Sequence, residues 1–184
     1  MGASVMVENG FWVFGYGSLI WQPDITYAKK HIARLDGYAR SFCMWSIHHR
    51  GTDEDPGLVL ALDEHTGAQC HGVAFFVGPD HAPKAIADLR ARELISSAYL
   101  EVTRAVTLDT GEQVDALCYV IDPDHVQYCG GMALEKQAQI IATAVGGRGP
   151  NTEYLYNTCK GIDALGLADD DLAFLQKRVA ELTA

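Results

Sequence analysis

The order of the apolar segments is the feature that most constrains the fold of this chain. Short runs rich in valine, leucine and aromatic residues come first, and glycine-containing turn signals bound them. Such runs predict β-strands, here over residues 12–16, 31–35, 38–46, 58–62, 71–77, 99–108 and 114–121. The turn signals include Asp36-Gly37, Thr66-Gly67 and Thr110-Gly111. Because several of these connections resemble hairpins, antiparallel pairing is expected to dominate.

Helical spacing of apolar residues mostly follows the strands. It predicts helices over residues 83–95, 132–145 and 171–182. A shorter helix is predicted to begin at Asn151, whose side chain can cap the N–H groups of residues 152–154. Strands that mostly precede helices, without regular alternation, predict an α+β domain around a curved or barrel-like sheet.

Size and charge limit the possible functions. With 184 residues, of which 48% are hydrophobic, the chain fits one domain over residues 1–184, and residues 1–10 are expected to be a flexible N-terminus. The 14 basic and 24 acidic residues give a net charge of -10. Nucleic acids and anionic membranes are therefore not expected as partners.

Cysteine usage and hydropathy predict a cytoplasmic protein. The five cysteines form no C-x-x-C pair and are odd in number, a pattern typical of reduced core thiols. They are Cys43, Cys70, Cys118, Cys129 and Cys159. No basic segment followed by an apolar one opens the sequence, and no run of about 18 apolar residues predicts a membrane span.

The segment FWVFGYGSLIW, residues 11–21, interrupts an apolar run with Gly15, Gly17 and Ser18. A dinucleotide fingerprint needs a third glycine, and Pro23 comes too early for a phosphate-binding helix. Two interpretations stay open. The glycines only permit packing, or they expose backbone groups to a small polar ligand, with Ser18 as a further hydrogen-bonding group.

Glu93 is the second unusual feature. At about 100° per residue it projects about 20° from Ile86 and about 40° from Leu89, within the apolar stripe of its helix. It is either a core carboxylate paired with Arg90 or Arg92, or a cavity carboxylate whose pKa burial raises. The second interpretation predicts general acid–base catalysis.

Other chemistry finds little support in the sequence. His48 and His49 are adjacent, so on a strand they point to opposite faces, and no set of metal ligands accompanies them. No metal site is predicted. Ser18 is not in a G-x-S-x-G elbow, and the cysteines lack an obvious neighbouring base, so a serine or thiol nucleophile is disfavoured.

Five segments together resemble the ChaC family of γ-glutamylcyclotransferases, in the right order over residues 11–182. They are VFGYGSLIW at 13–21, HRGTDEDPGLVLALD at 49–63, GVAFFV at 72–77, LRARELISSAY at 89–99 and GRGPNTEYLYNT at 147–158. A match in several parts is far more specific than one motif. The resemblance implies a small, mixed, mainly antiparallel β-barrel with flanking helices.

The resemblance also implies an activity and its residues. The activity is that of a glutathione-specific lyase: the substrate's α-amine attacks its own γ-carbonyl and releases 5-oxoproline and Cys-Gly, without a cofactor. Glu93 is implied as the general base, Tyr154 matches a family tyrosine that could hydrogen-bond the substrate, and Arg50 could attract the glycine-end carboxylate of glutathione. The turn implied to hold the γ-glutamyl group consists of Gly15, Tyr16, Gly17, Ser18, Leu19 and Ile20, here called the glycine turn.

Two alternatives remain. One is a cyclotransferase for another γ-glutamyl amino acid or a γ-glutamylamine, because residues 94–99 differ from the shorter Lys-Gly-Gly-Tyr of animal members and resemble the bacterial branch. The other is a non-enzymatic regulatory protein, against which an unpaired, core-facing Glu93 argues. No particular oligomeric state is predicted.

Overall fold

The computed structural model describes residues 8–184, which fall into two compact units. The first comprises the described residues up to Arg40 together with residues 62–125, and the second comprises residues 41–61 and 126–184. A single domain over the whole chain stays a prediction. The expected flexible N-terminus, residues 1–10, lies mostly outside the described residues.

Five strands form a closed barrel in the order β1-β3-β2-β4-β5. They are β1 (Phe11–Gly15), β2 (Lys29–Ser46), β3 (Gly57–Val77), β4 (Tyr99–Leu108) and β5 (Gln113–Ile121). Strand β1 is antiparallel to β3, and β4 is antiparallel to both β2 and β5, whereas β5 is parallel to β1 and β3. The predicted mixed, mainly antiparallel barrel is confirmed.

The helices are α1 (Ser18–Trp21), α2 (Ala82–Glu93), α3 (Leu134–Thr143), α4 (Asn151–Ala164) and α5 (Asp170–Leu182). In the second unit, α3, α4 and α5 pack against one another, and a two-stranded sheet joins β6 (Val145–Gly146) to β7 (Gly149–Pro150). The α+β class is thus confirmed. Among residues 8–184, no helix is long and apolar enough to cross a membrane.

Two of the three predicted turns are wrong. Gly37 and Gly67 lie inside β2 and β3, so each of these long strands replaces two predicted ones. Both glycines have left-handed φ angles, 82° and 84°. Glycine adopts this conformation without strain, so a strand can continue through it. At Gly111 the predicted turn is confirmed: its N–H donates to the Leu108 carbonyl at 2.9 Å, between β4 and β5.

Asn151 does not cap α4, contrary to the prediction. Its fully buried side chain instead accepts from the Leu58 N–H at 2.7 Å and donates to the Leu58 carbonyl at 2.8 Å. The amide thereby satisfies two backbone groups of β3, and a buried backbone group without a partner is costly. The helix was also predicted to be short, whereas α4, with 14 residues, is the longest of the described helices.

Most of the cysteines lie in the core, as expected, while a cytoplasmic location stays a prediction. All five cysteines are free, and four of them are buried. Cys43, Cys70 and Cys118 lie in β2, β3 and β5, within the apolar runs that predicted strands. Each of the three behaves as a small core residue rather than as an exposed thiol.

Candidate active site

The glycine turn lies in the first unit, where β1 ends at Gly15 and α1 begins at Ser18. The Ile20 N–H donates to the Gly17 carbonyl at 2.9 Å, which closes the turn. A Cβ added to Gly15 would lie 3.1 Å from the Leu19 Cβ. The absence of a side chain at Gly15 therefore lets α1 fold closely against the end of the strand.

Two neighbouring strands hold this turn in place. Arg40 of β2 donates through Nε to the Tyr16 carbonyl at 2.6 Å and through Nη2 to the His71 carbonyl of β3. A Cβ on Gly72 would overlap the carbonyl oxygen of Gly15, so β3 can approach the turn only with glycine there. Neither Arg40 nor Gly72 was singled out from the sequence, because both contacts depend on the pairing of distant strands.

Glu93 is the last residue of α2, and its helix buries the stripe that the periodicity predicted. Ala85, Ile86 and Leu89 are buried, and the Glu93 side chain is only 15% exposed. Burial raises the pKa of Glu93, because the charged carboxylate loses solvation, while the positive charge of Arg92 lowers it to a smaller extent. The net effect makes this carboxyl group easier to protonate than an exposed one.

Glu93 is not unpaired, which corrects one argument made from the sequence. Its Oε1 lies 3.2 Å from Arg92 Nε. The arginine neighbour and the raised pKa thus occur together, and a cavity lined by Glu93 stays a prediction. The other nitrogens of Arg92 point elsewhere: Nη2 donates to Ser18 Oγ at 2.7 Å and Nη1 donates to the Gln22 carbonyl at 2.7 Å.

A second acidic group accompanies Glu93 and was missed. Glu101 of β4 accepts two short hydrogen bonds from Arg90, from Nε at 2.9 Å and from Nη2 at 2.7 Å, and one from the Tyr119 hydroxyl at 3.1 Å. Burial raises the pKa of Tyr119, and the charges of Glu101 and, to a smaller extent, Glu93 raise it further. The sequence contained a signal for this pair. Glu101 and Tyr119 are equally far from the predicted turn at Thr110, so a hairpin there places them opposite each other, as the strand register shows.

The other two predicted site residues, Arg50 and Tyr154, lie in the second unit and contact each other there. The Arg50 guanidinium is 5.8 Å from the centre of the Tyr154 ring. Arg50 Nη1 also donates to the carbonyls of Arg148 and Pro150, at 2.8 and 3.1 Å, and the Tyr154 hydroxyl accepts from the Leu60 N–H at 3.3 Å. Both side chains thus support their own surroundings, and their contacts with a substrate stay predictions.

Comparison with known proteins places the chain in a family. The model of the ChaC-like protein family matches residues 11–182. The chain belongs to this ChaC-like family. A relative from Escherichia coli (strain K12), named glutathione-specific γ-glutamylcyclotransferase, is 34% identical over 177 residues, which are 96% of this chain and 76% of the relative. A relative from Danio rerio, glutathione-specific γ-glutamylcyclotransferase 1, is 38% identical over 152 residues, or 80% of this chain and 76% of the relative.

Solved structures share the fold of this ChaC-like chain. The crystal structure of a yeast γ-glutamyl cyclotransferase specific to glutathione has a TM-score of 0.83. The match covers 96% of this chain and 100% of the yeast one, at 24% sequence identity. The family's barrel with flanking helices is therefore the architecture found here.

The first unit of the ChaC-like chain offers a specific chemistry. A largely buried carboxyl group with a raised pKa holds a proton more readily than an exposed one, which suits general acid–base catalysis. Arg92 connects this group to the glycine turn through Ser18 Oγ. The turn and the carboxylate, predicted from separate parts of the sequence, are thus linked by one side chain.

Proposed function

We propose that this ChaC-like chain is a γ-glutamylcyclotransferase that acts on glutathione. The names of its relatives support this substrate and this enzyme class. The observation that carries the proposal is the geometry around Glu93: a carboxyl group of raised pKa, joined through Arg92 to the glycine turn. The free, mostly buried cysteines support a cytoplasmic location for the reaction.

The proposed reaction is an intramolecular aminolysis. The α-amine of glutathione attacks the γ-carbonyl carbon, a C–N bond closes the five-membered ring, and the original γ-amide C–N bond breaks. The products are 5-oxoproline and Cys-Gly, and no water is consumed. Because nucleophile and electrophile belong to one molecule, holding the γ-glutamyl chain in a folded conformation supplies much of the rate enhancement.

Glu93 is the proposed general base and general acid of this reaction. The α-nitrogen loses two protons on going from ammonium to lactam N–H, and the departing nitrogen of Cys-Gly gains two to leave as an ammonium. Glu93 takes these protons from the first nitrogen and passes them to the second, one at a time. One carboxylate can serve both steps only if its pKa lies close enough to neutrality for either direction, and burial moves the pKa of Glu93 that way. The glycine turn is the proposed holder of the γ-glutamyl group, with its backbone N–H groups stabilising negative charge on oxygen.

Arg50 and Tyr154 are the further substrate contacts that we propose. The positive charge of the Arg50 guanidinium suits the glycine-end carboxylate of glutathione in a chain whose net charge is -10. Nη1 of Arg50 makes the contacts with the two backbone carbonyls and with the Glu153 carboxylate, at 3.4 Å. The Tyr154 hydroxyl accepts from the Leu60 N–H, and the match of this residue to a family tyrosine supports its proposed contact with the substrate.

The test is a measurement of 5-oxoproline released from reduced glutathione and from γ-glutamylalanine. We expect the wild-type protein to release it faster from glutathione, and Glu93→Gln to lose about 10²–10⁴-fold in kcat, the usual contribution of general acid–base catalysis. Glu112→Gln makes the same chemical change at an exposed residue beside the β4–β5 turn and should retain wild-type turnover.

Three results would contradict the proposal in different ways. Faster release from γ-glutamylalanine would overturn the substrate. Wild-type turnover by Glu93→Gln, with its fold verified by circular dichroism, would overturn the role of Glu93. No 5-oxoproline from either compound would favour a non-enzymatic protein.

A further inference from the structure

We propose that Arg92 is a positioning residue that ties the proton-transfer carboxylate of Glu93 to the glycine turn. The inference rests on the proposed function, because it assigns Arg92 a part in the same site. Arg92 itself is not proposed to contact the reacting atoms. It acts through Ser18 on one side and through Glu93 on the other.

The contacts of Arg92 use all three guanidinium nitrogens. Nη2 donates to Ser18 Oγ and Nη1 donates to the Gln22 carbonyl, both at 2.7 Å, while Nε lies 3.2 Å from Glu93 Oε1. Ser18 and Gln22 are the first residue of α1 and the residue after its end. One planar group therefore fixes both ends of α1 and faces the carboxylate with its remaining edge.

Arginine is required for this arrangement by its shape. The guanidinium is a rigid, planar group with five N–H donors, whereas a lysine ammonium is a single point on a flexible stem. Hydrogen bonds to a hydroxyl and a carbonyl, together with an ion-pair contact to a carboxylate in a third direction, need the planar group. The Arg92 side chain is 21% exposed; its hydrogen bond to Ser18 Oγ is partly buried, whereas the one to the Gln22 carbonyl is exposed.

Among residues 8–184, the charged and titratable groups that act electrostatically on Glu93 come from two elements. Arg92 belongs to the same helix, and Tyr119 of β5 interacts electrostatically with Glu93. The Tyr119 hydroxyl donates to Glu101, which Arg90 holds through two hydrogen bonds. Arg92 is therefore the cation that acts on Glu93, and its removal should raise the pKa of the Glu93 carboxyl.

Two substitutions separate position from charge. In Arg92→Gln both are lost: we expect kcat for 5-oxoproline release to fall about 10²-fold, as misplacement of reacting groups does, and the acidic limb of the kcat/KM profile to move to higher pH. In Arg92→Lys the charge stays, so kcat should fall while the acidic limb stays close to that of the wild type. A merely structural role would leave the limb unmoved in both variants.

One further variant is a control, and another tests the coupling between Arg92 and Ser18. Lys84→Gln removes a positive charge from the same helix at a side chain that is 83% exposed and contacts Asp88. Both its kcat and the acidic limb of its kcat/KM profile should match the wild type.

Ser18→Ala removes the hydrogen-bond acceptor of Arg92 Nη2. If Arg92 works through Ser18, the double variant Arg92→Gln/Ser18→Ala should have nearly the same kcat as Arg92→Gln alone.

The inference is overturned if the losses of the two single variants multiply in the double variant, or if Arg92→Gln leaves the acidic limb where it is. A readout that does not need turnover keeps it separate from the proposed function. Titration of the Glu93 carboxyl carbon by NMR should show a higher pKa in Arg92→Gln than in the wild type. An inactive wild-type protein would refute the proposed function, and an unchanged Glu93 titration would refute the part of Arg92.

Discussion

Two glutamates of the first unit each have an arginine of α2 beside them, yet their pKa values move in opposite directions. Hydrogen bonds from Arg90 lower the pKa of Glu101. Burial raises the pKa of Glu93 although Arg92 Nε is only 3.2 Å away. The difference lies in the number of donors that reach the carboxylate. A nearby arginine does not by itself keep a buried carboxylate charged.

The geometry of the two arginines explains this difference. Arg90 directs Nε and Nη2 to one carboxylate, in the two-pronged arrangement that is strongest for this pair. The two terminal nitrogens of Arg92 instead donate to Ser18 Oγ, at the start of α1, and to the Gln22 carbonyl just after its end. Glu101 is thus held as a fixed charge, whereas Glu93 remains a group that can exchange its proton.

The largest effect on stability is expected from Glu101→Gln. The substitution removes the charge that accepts from Arg90 and Tyr119, and hydrogen bonds to charged groups contribute strongly to stability. Arg90 is 42% exposed, so water offsets part of the loss. We expect the free energy of unfolding, measured in urea at neutral pH, to fall by about 1–2 kcal/mol.

Glu93→Gln is the matched variant for this measurement. Removing a charge that burial disfavours should leave the free energy of unfolding unchanged or raise it. Equal losses in Glu93→Gln and Glu101→Gln would contradict the division of the two glutamates into a poised acid and a fixed charge.

A smaller effect is expected from Tyr119→Phe. The hydroxyl of this buried tyrosine donates to Glu101, and its removal leaves the carboxylate with the Arg90 donors only. We expect a loss of about 1 kcal/mol in the free energy of unfolding, typical of one hydrogen bond. The loss should shrink in acid, where Glu101 is protonated.

Tyr38→Phe is the control for Tyr119→Phe. Its hydroxyl, also on a buried ring, accepts from Arg104 Nε at 3.0 Å. Among residues 8–184, no hydrogen bond joins this hydroxyl to a carboxylate. Its effect on stability should be nearly the same from pH 7 to acid. A similar pH dependence in both variants would show that the Tyr119 effect is not due to Glu101.

The part of the site that could be predicted is the part that depends on local geometry. The helical positions of Ile86 and Leu89 placed Glu93 correctly, because the regular geometry of a helix fixes those directions over about two turns. The bond from Arg92 to Ser18 joins residues 74 positions apart and follows from packing that no local pattern contains. The sequence left open whether Glu93 pairs with an arginine, and the 3.2 Å contact with Arg92 Nε answers that question.

The errors in the fold have a similar cause. A side chain such as that of Asn151 prefers to cap a helix when only its neighbours are considered. The buried backbone of Leu58 offers it two hydrogen bonds instead. Gly37 and Gly67 have the left-handed φ angles of turn residues, but strand pairing continues through them. In each case a distant partner decided between two conformations that the residue allows.

The smallest expected effect is the pH dependence of thermal stability. The pKa of Glu93 is raised above its ordinary value of 4.5, so the unfolded chain loses this proton first as pH rises. The contribution of the Glu93 carboxyl group to the free energy of unfolding is complete below pH 4.5. It is lost as pH rises from 4.5 to the pKa of Glu93 in the folded protein, and it stays lost above that pKa. The Tm of Glu93→Gln relative to the wild type should therefore increase as pH rises from about 4.5 and then level off.

Glu101 should behave in the opposite way. Its pKa is lowered below 4.5, so its stabilising effect is complete above that pH and disappears as pH falls toward the folded value. The Tm deficit of Glu101→Gln should consequently shrink below pH 4.5, where the Glu93→Gln difference has already vanished. Since 1 kcal/mol moves Tm by only about 2–4 °C in a chain of this size, both series need calorimetry at closely spaced pH values. Parallel curves for the two variants would mean that the two carboxyl groups do not differ in the way that their donors predict.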